Sequence, residues 1–352
     1  MGRVALSKAG IVEATTWGTE VAVGALGQIV PSSIDISREN RAFLEDPGLL
    51  GSAWGNPGQI GAKASEITLN ARLRYGDRIP KLLAFALGAD AVTGASPYTH
   101  TMTIADRLTK FLTVAWQEVA NATSTVYVSL PSAMIEETRL RWDGEAPGEA
   151  SFNLVASELA RDAGVNGSTQ FTNLTRSDSA IPVLLTDGLF RLNAASGSTL
   201  AAGDNLKPRM IELVIRRPLT RPFLADSAVA GKISQPVEAD VAEVLLNLEF
   251  VGKGAASAFA SLVDEWEDRY EAATELKATL DFTGPSPNTF GFSFPRLQIV
   301  RMPPQAVPGS GRYPLRVEMR ALEASTAPSG MSGITKPVRS VVVDAVSAAY
   351  IA

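Results

Sequence analysis

The sequence predicts a mainly β protein made of tandem duplicated β-sandwich domains, each with a flanking helix, plus extended N- and C-terminal arms. Three observations predict it. Apolar and polar residues alternate with a period of two in segments spread along the chain, as in half-buried strands. One order of strand, helix and strands occurs twice. The length of 352 residues exceeds the roughly 250 to 300 residues at which a single core stops growing.

Composition narrows the class of protein. A hydrophobic fraction of 45% and a charged fraction of 20% are typical of a soluble globular chain. The absence of cysteine excludes disulfides, iron–sulfur clusters and thiolate zinc sites. A net charge of −5 argues against a protein that binds nucleic acid by neutralising phosphates. The first residues lack a signal peptide, and no apolar run is long enough to span a membrane, so we expect a cytosolic protein without a membrane partner.

The first repeated unit is a strand followed by a helix. The strand ITLNARLRYG, from Ile67 to Gly76, matches VLLNLEFVG, from Val244 to Gly252. Apolar residues at helical spacing follow each strand. They are Ile79, Leu82, Leu83 and Ala86 in the first copy, and Phe259, Leu262, Val263, Trp266 and Tyr270 in the second. Both segments are therefore predicted to be helices laid on a sheet.

Three further strands complete each copy. KFLTVAWQEV matches ELKATLDFTG, YVSLPSAMIEE aligns with FSFPRLQIVR, and ASFNLVASE matches LRVEMRALE. The second pair places Pro131 and Pro295 at the same point. Since proline cannot donate a ladder hydrogen bond, we predict a bulge or an edge at that point in both copies. The offset between copies falls from 177 residues to about 164, so the first copy carries roughly thirteen extra residues, which we place around Thr93 to Ile104.

These matches define the domain boundaries. We divide the chain into an N-terminal arm (1–27), a first domain (28–162), a linker (163–179), a second domain (180–325) and a C-terminal arm (326–352). Each domain opens with a strand that leads into a long connection, 41–61 in the first and 219–235 in the second. The arms alternate like strands but have no sheet of their own.

No constellation of residues points to catalysis. The only histidine is His100, and neither a nucleophile elbow nor a phosphate-binding glycine loop is present. Glu136 and Glu137 are adjacent on a strand and so point to opposite faces. We therefore expect no catalytic residues, no cofactor and no metal. Trp17 and Trp54 lie where burial requires a partner, and we interpret them as assembly contacts, with local loop anchors as the alternative.

Open sheet edges remain in this architecture. Unpaired edges are liabilities unless they are closed or covered, and neighbouring subunits can cover them. A head-to-tail contact makes a closed ring when its rotation divides the circle. Three chains of two domains would present six domains around one ring.

Several segments together resemble the tail tube proteins of long non-contractile-tailed bacteriophages. The likeness rests on ATTWGTEVAV (Ala14 to Val23), on QIGAKASEITLNARL with the LLAFALGA helix, on YTHTMTIAD, and on the order of strands in the second half. Single-domain members of that family build hexameric rings, and a duplicated chain is similar to the trimer-forming type. The resemblance implies a structural virion protein, assembled in the host cytoplasm, whose stacked homotrimeric rings form the hollow tail tube for DNA delivery.

The resemblance also implies partners and faces. The partners would be the protein itself, tail tip and tail terminator proteins, the tape-measure protein, and double-stranded DNA that passes without sequence-specific binding. Four strands from each of six domains would make a barrel of about 24 strands, wider than a porin. The arms and the two long connections are the expected ring-to-ring contacts. The residues predicted to face the lumen are Glu66, Thr68, Asn70, Arg72, Glu243, Asn247 and Glu249, and the predicted inter-subunit residues are Trp17, Trp54, Pro131 and Pro295.

Other classes of function stay open at this point. A tandem β-sandwich that binds carbohydrate, as in an adhesin, would need exposed aromatic residues gathered on one face. A β-sandwich hydrolase would need a nucleophile, a base and an orienting group together. The inner tube of a contractile injection system shares the fold, but such a chain is normally a single domain.

Overall fold

The computed structural model describes residues 8–38, 41–44, 59–119, 125–162, 164–175, 181–222, 233–251, 265–302 and 314–351. Strands account for 53% of the residues and helices for 11%, which confirms the mainly β class. A strip of buried apolar side chains runs through both halves of the chain between layers of sheet.

The first half contains thirteen of the described strands and one helix. The strands are β1 Ala9–Ala14, β2 Gln28–Ile29, β3 Pro31–Arg38, β4 Arg41–Leu44, β5 Gln59–Lys63, β6 Ser65–Arg72, β7 Arg74–Tyr75, β8 Gly88–Thr93, β9 Tyr98–Ile104, β10 Phe111–Val119, β11 Thr125–Asp143, β12 Glu149–Ala156 and β13 Ala160–Arg161. Helix α1 spans Ile79–Leu87, and Gly88, with φ of 92°, ends it in the left-handed conformation. Its predicted apolar stripe is buried.

The second half repeats this pattern. Its described strands are β14 Ile181–Pro182, β15 Gly188–Ala194, β16 Asn205–Leu206, β17 Met210–Arg216, β18 Leu219–Thr220, β19 Val237–Glu238, β20 Glu243–Val251, β21 Leu276–Thr283, β22 Thr289–Arg301, β23 Pro314–Ala321 and β24 Arg339–Asp344. A short helix α2, Ser168–Asn173, lies in the predicted linker. Helix α3 covers residues 265–271; its Trp266 is buried against Phe250, whereas Tyr270, which the sequence placed on the apolar stripe, is 43% exposed.

Eight strands form one continuous antiparallel sheet, called here the long sheet. Its order is β3–β6–β12–β11–β17–β20–β23–β22. The first four strands come from the first half and the last four from the second, in matching order. Each half therefore contributes four strands to a shared sheet, and β3 of the first half occupies the position that β17 occupies in the second.

Strands β11 and β22 each belong to two sheets. Their N-terminal halves pair with β10 and β21, which pair in turn with β1 and β15, and these pair with β2 and β16. Strands β1 and β2 are thus the counterparts of β15 and β16. The sequence analysis assigned β1 to a free N-terminal arm, because AGIVEA of β1 and GLFRLNA of β15 share little beyond alternation. The structure places β1 in the first sandwich.

Both prolines lie in bulges at the crossing between the two sheets. Pro131 and Ser132 together oppose Thr113, and Pro295 and Arg296 together oppose Lys277. This confirms the predicted bulge at the same point in both copies. Because proline lacks an N–H group, it fits where a strand leaves one ladder and enters the next. A second repeated bulge follows, with Glu136 as the extra residue of β11 and Val300 as the extra residue of β22.

The extra residues of the first copy form the β8–β9 hairpin. Strand β9 pairs with β24 from the C-terminal arm, and β24 pairs with β22 of the second copy. The arm therefore joins the outer layers of the two halves and is not free, in contrast to its predicted role as a separate arm.

One part of the sequence alignment is shifted. Leu154 lies opposite Ile67, whereas Met319 lies opposite Leu246. The sequence matched Ile67 with Val244 and Leu154 with Met319, and these two matches cannot both be correct. The difference of two residues keeps each side chain on its face, since side chains alternate with a period of two, so the sequence pattern could not reveal it.

Candidate assembly interface

The seven residues predicted to face a lumen lie on one face of the long sheet. In β6 they alternate with buried Ile67, Leu69 and Ala71, and in β20 with buried Val244, Leu246 and Leu248. The β11–β17 ladder joins the two halves, so both sets share the side of the sheet that is opposite the core. We call this side the polar face. Leu245, 7% exposed, interrupts it, as the sequence indicated.

Charges of both signs cover the polar face. Among the described side chains, the face carries nine carboxylates and seven guanidinium groups. By register they are Asp35, Glu66, Glu137, Asp143, Glu149, Glu212, Glu243, Glu249 and Glu318, with Arg72, Arg139, Arg141, Arg216, Arg301, Arg316 and Arg320. The described side chains of this face therefore carry a slight excess of negative charge.

Many of these charges pair with one another. The Arg216 guanidinium lies 2.9 Å from Glu137 and 3.6 Å from Glu243, and so ties three neighbouring strands together. The hydrogen bond that Arg216 donates to the Glu137 carboxylate raises the pKa of Arg216, although burial opposes it. Arg316 contacts Glu249 at 2.9 Å. A guanidinium group that is already paired with a carboxylate attracts phosphate groups less strongly.

The junction between the two halves is an ordinary antiparallel ladder. Residues 137–143 of β11 lie opposite residues 210–216 of β17 without a break. Trp142 packs across the junction on Phe282, with ring centroids 4.6 Å apart. Next to the ladder, Arg217 is 1% exposed, donates to the carbonyl oxygens of Leu87 and Ala105, and pairs with Glu238. The junction is thus stabilised by apolar packing, by a ladder of backbone hydrogen bonds and by a buried arginine.

The first strand of the long sheet lacks such a partner. Strand β17 pairs on both sides, with β11 and with β20, whereas β3 pairs with β6 alone among the described strands. The edge of β3 therefore corresponds to the edge of β17 that the internal junction covers. At the other end, β22 enters the long sheet at Leu297 and pairs there with β23.

The β18–β19 hairpin of the second half lies against the first half. Arg221 bridges Glu66 at 3.0 Å and Glu136 at 2.9 Å. Beside it, a small apolar cluster combines residues of both halves: Ala14, Ala64, Leu108, Phe111, Met134, Val155, Leu219 and Ile233. The indole of Trp17 packs on this cluster and donates to the Ile233 carbonyl at 3.0 Å.

The predicted inter-subunit residues divide as follows. Trp17 has its contacts within its own chain, as a loop anchor would. Trp54 lies outside the described residues. Pro131 and Pro295 are buried in their bulges, so neither offers surface to a neighbouring chain. The structure adds Arg217 and Val300, which the sequence analysis did not single out because neither belongs to a motif; the repeated bulge is the signal that could have identified Val300.

Comparisons with known proteins identify no relative of this chain. Neither a protein-family model nor a curated protein matches the chain. In the part of the chain that the structure describes, no helix is long and apolar enough to cross a bilayer.

Proposed function

We propose that this protein polymerises head to tail into homotrimeric rings, and that these rings stack into the hollow tail tube of a bacteriophage. The proposal rests on the resemblance of the sequence to tail tube proteins. It is supported by one observation: the long sheet is built of two matching groups of four strands, and the edge that the first group leaves open is the edge that the internal junction covers in the second.

The geometry of the junction supports a closed ring. If β22 of one chain met β3 of the next as β11 meets β17, each chain would add eight strands, and three chains would close a barrel of 24. With strands about 4.8 Å apart and tilted by about 40°, such a barrel would be roughly 50 Å across between backbones. That lumen is wider than the channel of a porin and would admit duplex DNA.

The polar face would then line the lumen. A strongly basic wall would bind phosphates and hold the passing DNA, whereas paired charges with a slight negative excess let it slide. The described large apolar residues that are exposed include a single aromatic, Tyr270, which gives no support to a carbohydrate-binding surface.

Cysteine pairs test the ring directly, because the chain has no cysteine of its own. Glu137 lies opposite Arg216 in the internal junction. Arg301 follows its bulge in β22 as Glu137 follows the bulge in β11. Counted across the ladders from these bulges, Arg38 occupies the position of Val214, two residues from Arg216, so Arg38 and Arg301 would be diagonal neighbours about 7 to 8 Å apart across the contact between chains. The variant Arg38→Cys with Arg301→Cys is expected to be cross-linked between chains by a short bismaleimide, and to yield a ladder that ends at three times the 37.2 kDa chain.

The matched control is Glu137→Cys with Val214→Cys. These two positions are diagonal neighbours in the internal junction, so the same reagent should join them within one chain without producing dimers or trimers. A chain that remains monomeric with the first pair, while the control pair reacts fully, contradicts the proposed ring.

A further inference from the structure

The two most exposed large apolar side chains of the described residues lie four positions apart in the second half. Val237 is 61% exposed and Val241 is 75% exposed. Between them, Asp240 is exposed and makes no ion pair with any described residue. We call residues 237–241 the valine segment. Single exposed apolar residues are common on protein surfaces, whereas neighbouring ones indicate a contact surface.

The second sandwich also contains an open apolar groove of about 360 Å³. Its apolar lining consists of Leu185, Phe190, Leu206, Pro208, Ile211 and Leu280. Three of these residues, Phe190, Ile211 and Leu280, are buried and form its floor. Lys207 lies at the rim, where its side chain is exposed and pairs with no carboxylate in the described part of the chain. The groove therefore has an apolar floor and a positively charged rim.

The groove and the valine segment lie at opposite ends of β17. Pro208 precedes this strand and Ile211 is its second residue, so the groove is at its beginning. The valine segment lies beyond the end of β17, where the Ala239 N–H donates to the Pro218 carbonyl at 2.8 Å. The seven residues of β17 span about 23 Å at about 3.3 Å per residue. The segment therefore cannot enter the groove of its own chain.

We propose that the valine segment of each chain docks in the apolar groove of a chain in the next ring. Val237 and Val241 lie against the groove floor, and Asp240 pairs with Lys207. The partner is thus a second copy of this chain, bound end to end along the direction of the strands. The inference rests on the proposed function, because it supplies the contact that stacks one ring on another.

The symmetry of the ring agrees with this contact. In a closed head-to-tail ring all chains point the same way, so every valine segment faces one side of the ring and every groove faces the other. A second ring that is stacked in the same direction brings unlike surfaces together. The contact then repeats without closing, as a filament requires. Because both surfaces lie at the ends of the same strand, they also belong to the same layer of the barrel wall.

The charges specify how the two surfaces meet. Burial of the two valines on the apolar floor would supply most of the attraction. The pairing of Asp240 with Lys207 would fix the orientation, since opposite charges across an interface select the register. Two rings that met by the same side would bring carboxylate to carboxylate or ammonium to ammonium, which is unfavourable.

Substitutions in the valine segment test the contact. Val241→Asp would place a carboxylate on the apolar floor, so the concentration at which filaments pellet in the ultracentrifuge is expected to rise by at least about tenfold. Sedimentation velocity should still show rings of three times the 37.2 kDa chain. Val165→Asp, at another exposed valine, is the matched control and should form filaments as the wild type does.

A charge exchange gives a second, independent test. Asp240→Lys and Lys207→Asp are each expected to raise the concentration needed for filaments, because each brings like charges together. The double variant, Asp240→Lys with Lys207→Asp, recreates the pair in reverse and should return this concentration to near the wild-type value. Circular dichroism and thermal unfolding show that each variant is folded.

The outcomes separate this contact from the ring itself. A wild type that forms no rings contradicts the proposed function and this contact with it. Rings that never stack overturn the contact between rings and leave the ring in place. The same holds if Val241→Asp pellets like the wild type, if it loses the rings themselves, or if the double charge variant assembles no better than the single ones.

Discussion

Raising the pH from 6.5 to 9 is expected to destabilise this protein through one residue, His100. The imidazole is fully buried where the β8–β9 hairpin meets the C-terminal segment. Its Nδ1 lies 3.1 Å from Asp90 and its Nε2 lies 3.4 Å from Asp344 and 3.0 Å from the Val346 carbonyl. The ring stacks on Tyr350 at 4.0 Å. Since acceptors face both nitrogens, the site favours the protonated ring.

The magnitude follows from the pKa of His100. Burial lowers this pKa, but the hydrogen bonds to Asp344 and Asp90 outweigh it and raise the pKa from 6.5 to about 9. A raised pKa in the folded state stabilises the protein fully below pH 6.5, and this contribution is lost as the pH rises through 9. The difference corresponds to roughly 3 kcal/mol, or about 1.4 kcal/mol for each pH unit.

Urea unfolding between pH 6 and 9.5 measures this loss. The chain has one histidine and no cysteine, so the α-amino group is the only other group that ordinarily titrates in this window. Burial also raises the pKa of Tyr350, which keeps its hydroxyl protonated there. His100→Gln should abolish the slope, and the single pair of imidazole proton resonances should titrate near pH 9. Equal slopes for the wild type and the variant would refute this reasoning.

Two substitutions test the internal junction. Arg217→Met removes the partner of the partly buried Glu238 and the donor to the Leu87 and Ala105 carbonyls, and should lower the free energy of unfolding by about 3 to 5 kcal/mol. Arg269→Met, which removes a helix-surface pair, should cost less than about 1 kcal/mol; similar losses would show that the buried arginine does not stabilise the junction. Gly148→Ala would place a methyl group 2.4 Å from the Trp142 indole nitrogen and should cost about 1 to 3 kcal/mol. Gly203→Ala, with no atom within 4 Å, should be neutral, and a neutral Gly148→Ala would contradict the tight packing at the junction.

The sequence could predict features that repeat or alternate. The mainly β class, helix α1 and the paired bulges at Pro131 and Pro295 follow from periodicity and from a residue without an N–H group. Strands β1 and β15 could not be matched, because strands of six or seven residues share alternation with many others. The pairing of β24 could not be predicted for another reason. This strand lies between β9 and β22, and its position is determined by those neighbours and not by its own sequence.

The candidate interface was predictable only in part. Alternation in β6 and β20 was enough to assign seven side chains to one face of the sheet, but whether that face lines a lumen stays a prediction. The docking of the β18–β19 hairpin could not be foreseen, because Arg221 meets Glu66 and Glu136 across long sequence separations. No pattern of spacing marks such contacts.

Electron microscopy of the purified full-length protein at high concentration tests the central claim most directly. The account predicts hollow filaments of stacked rings with threefold symmetry, in which β3 of one chain pairs with β22 of the next. Particles that remain single chains at every concentration, with the edge of β3 exposed to solvent, would contradict it.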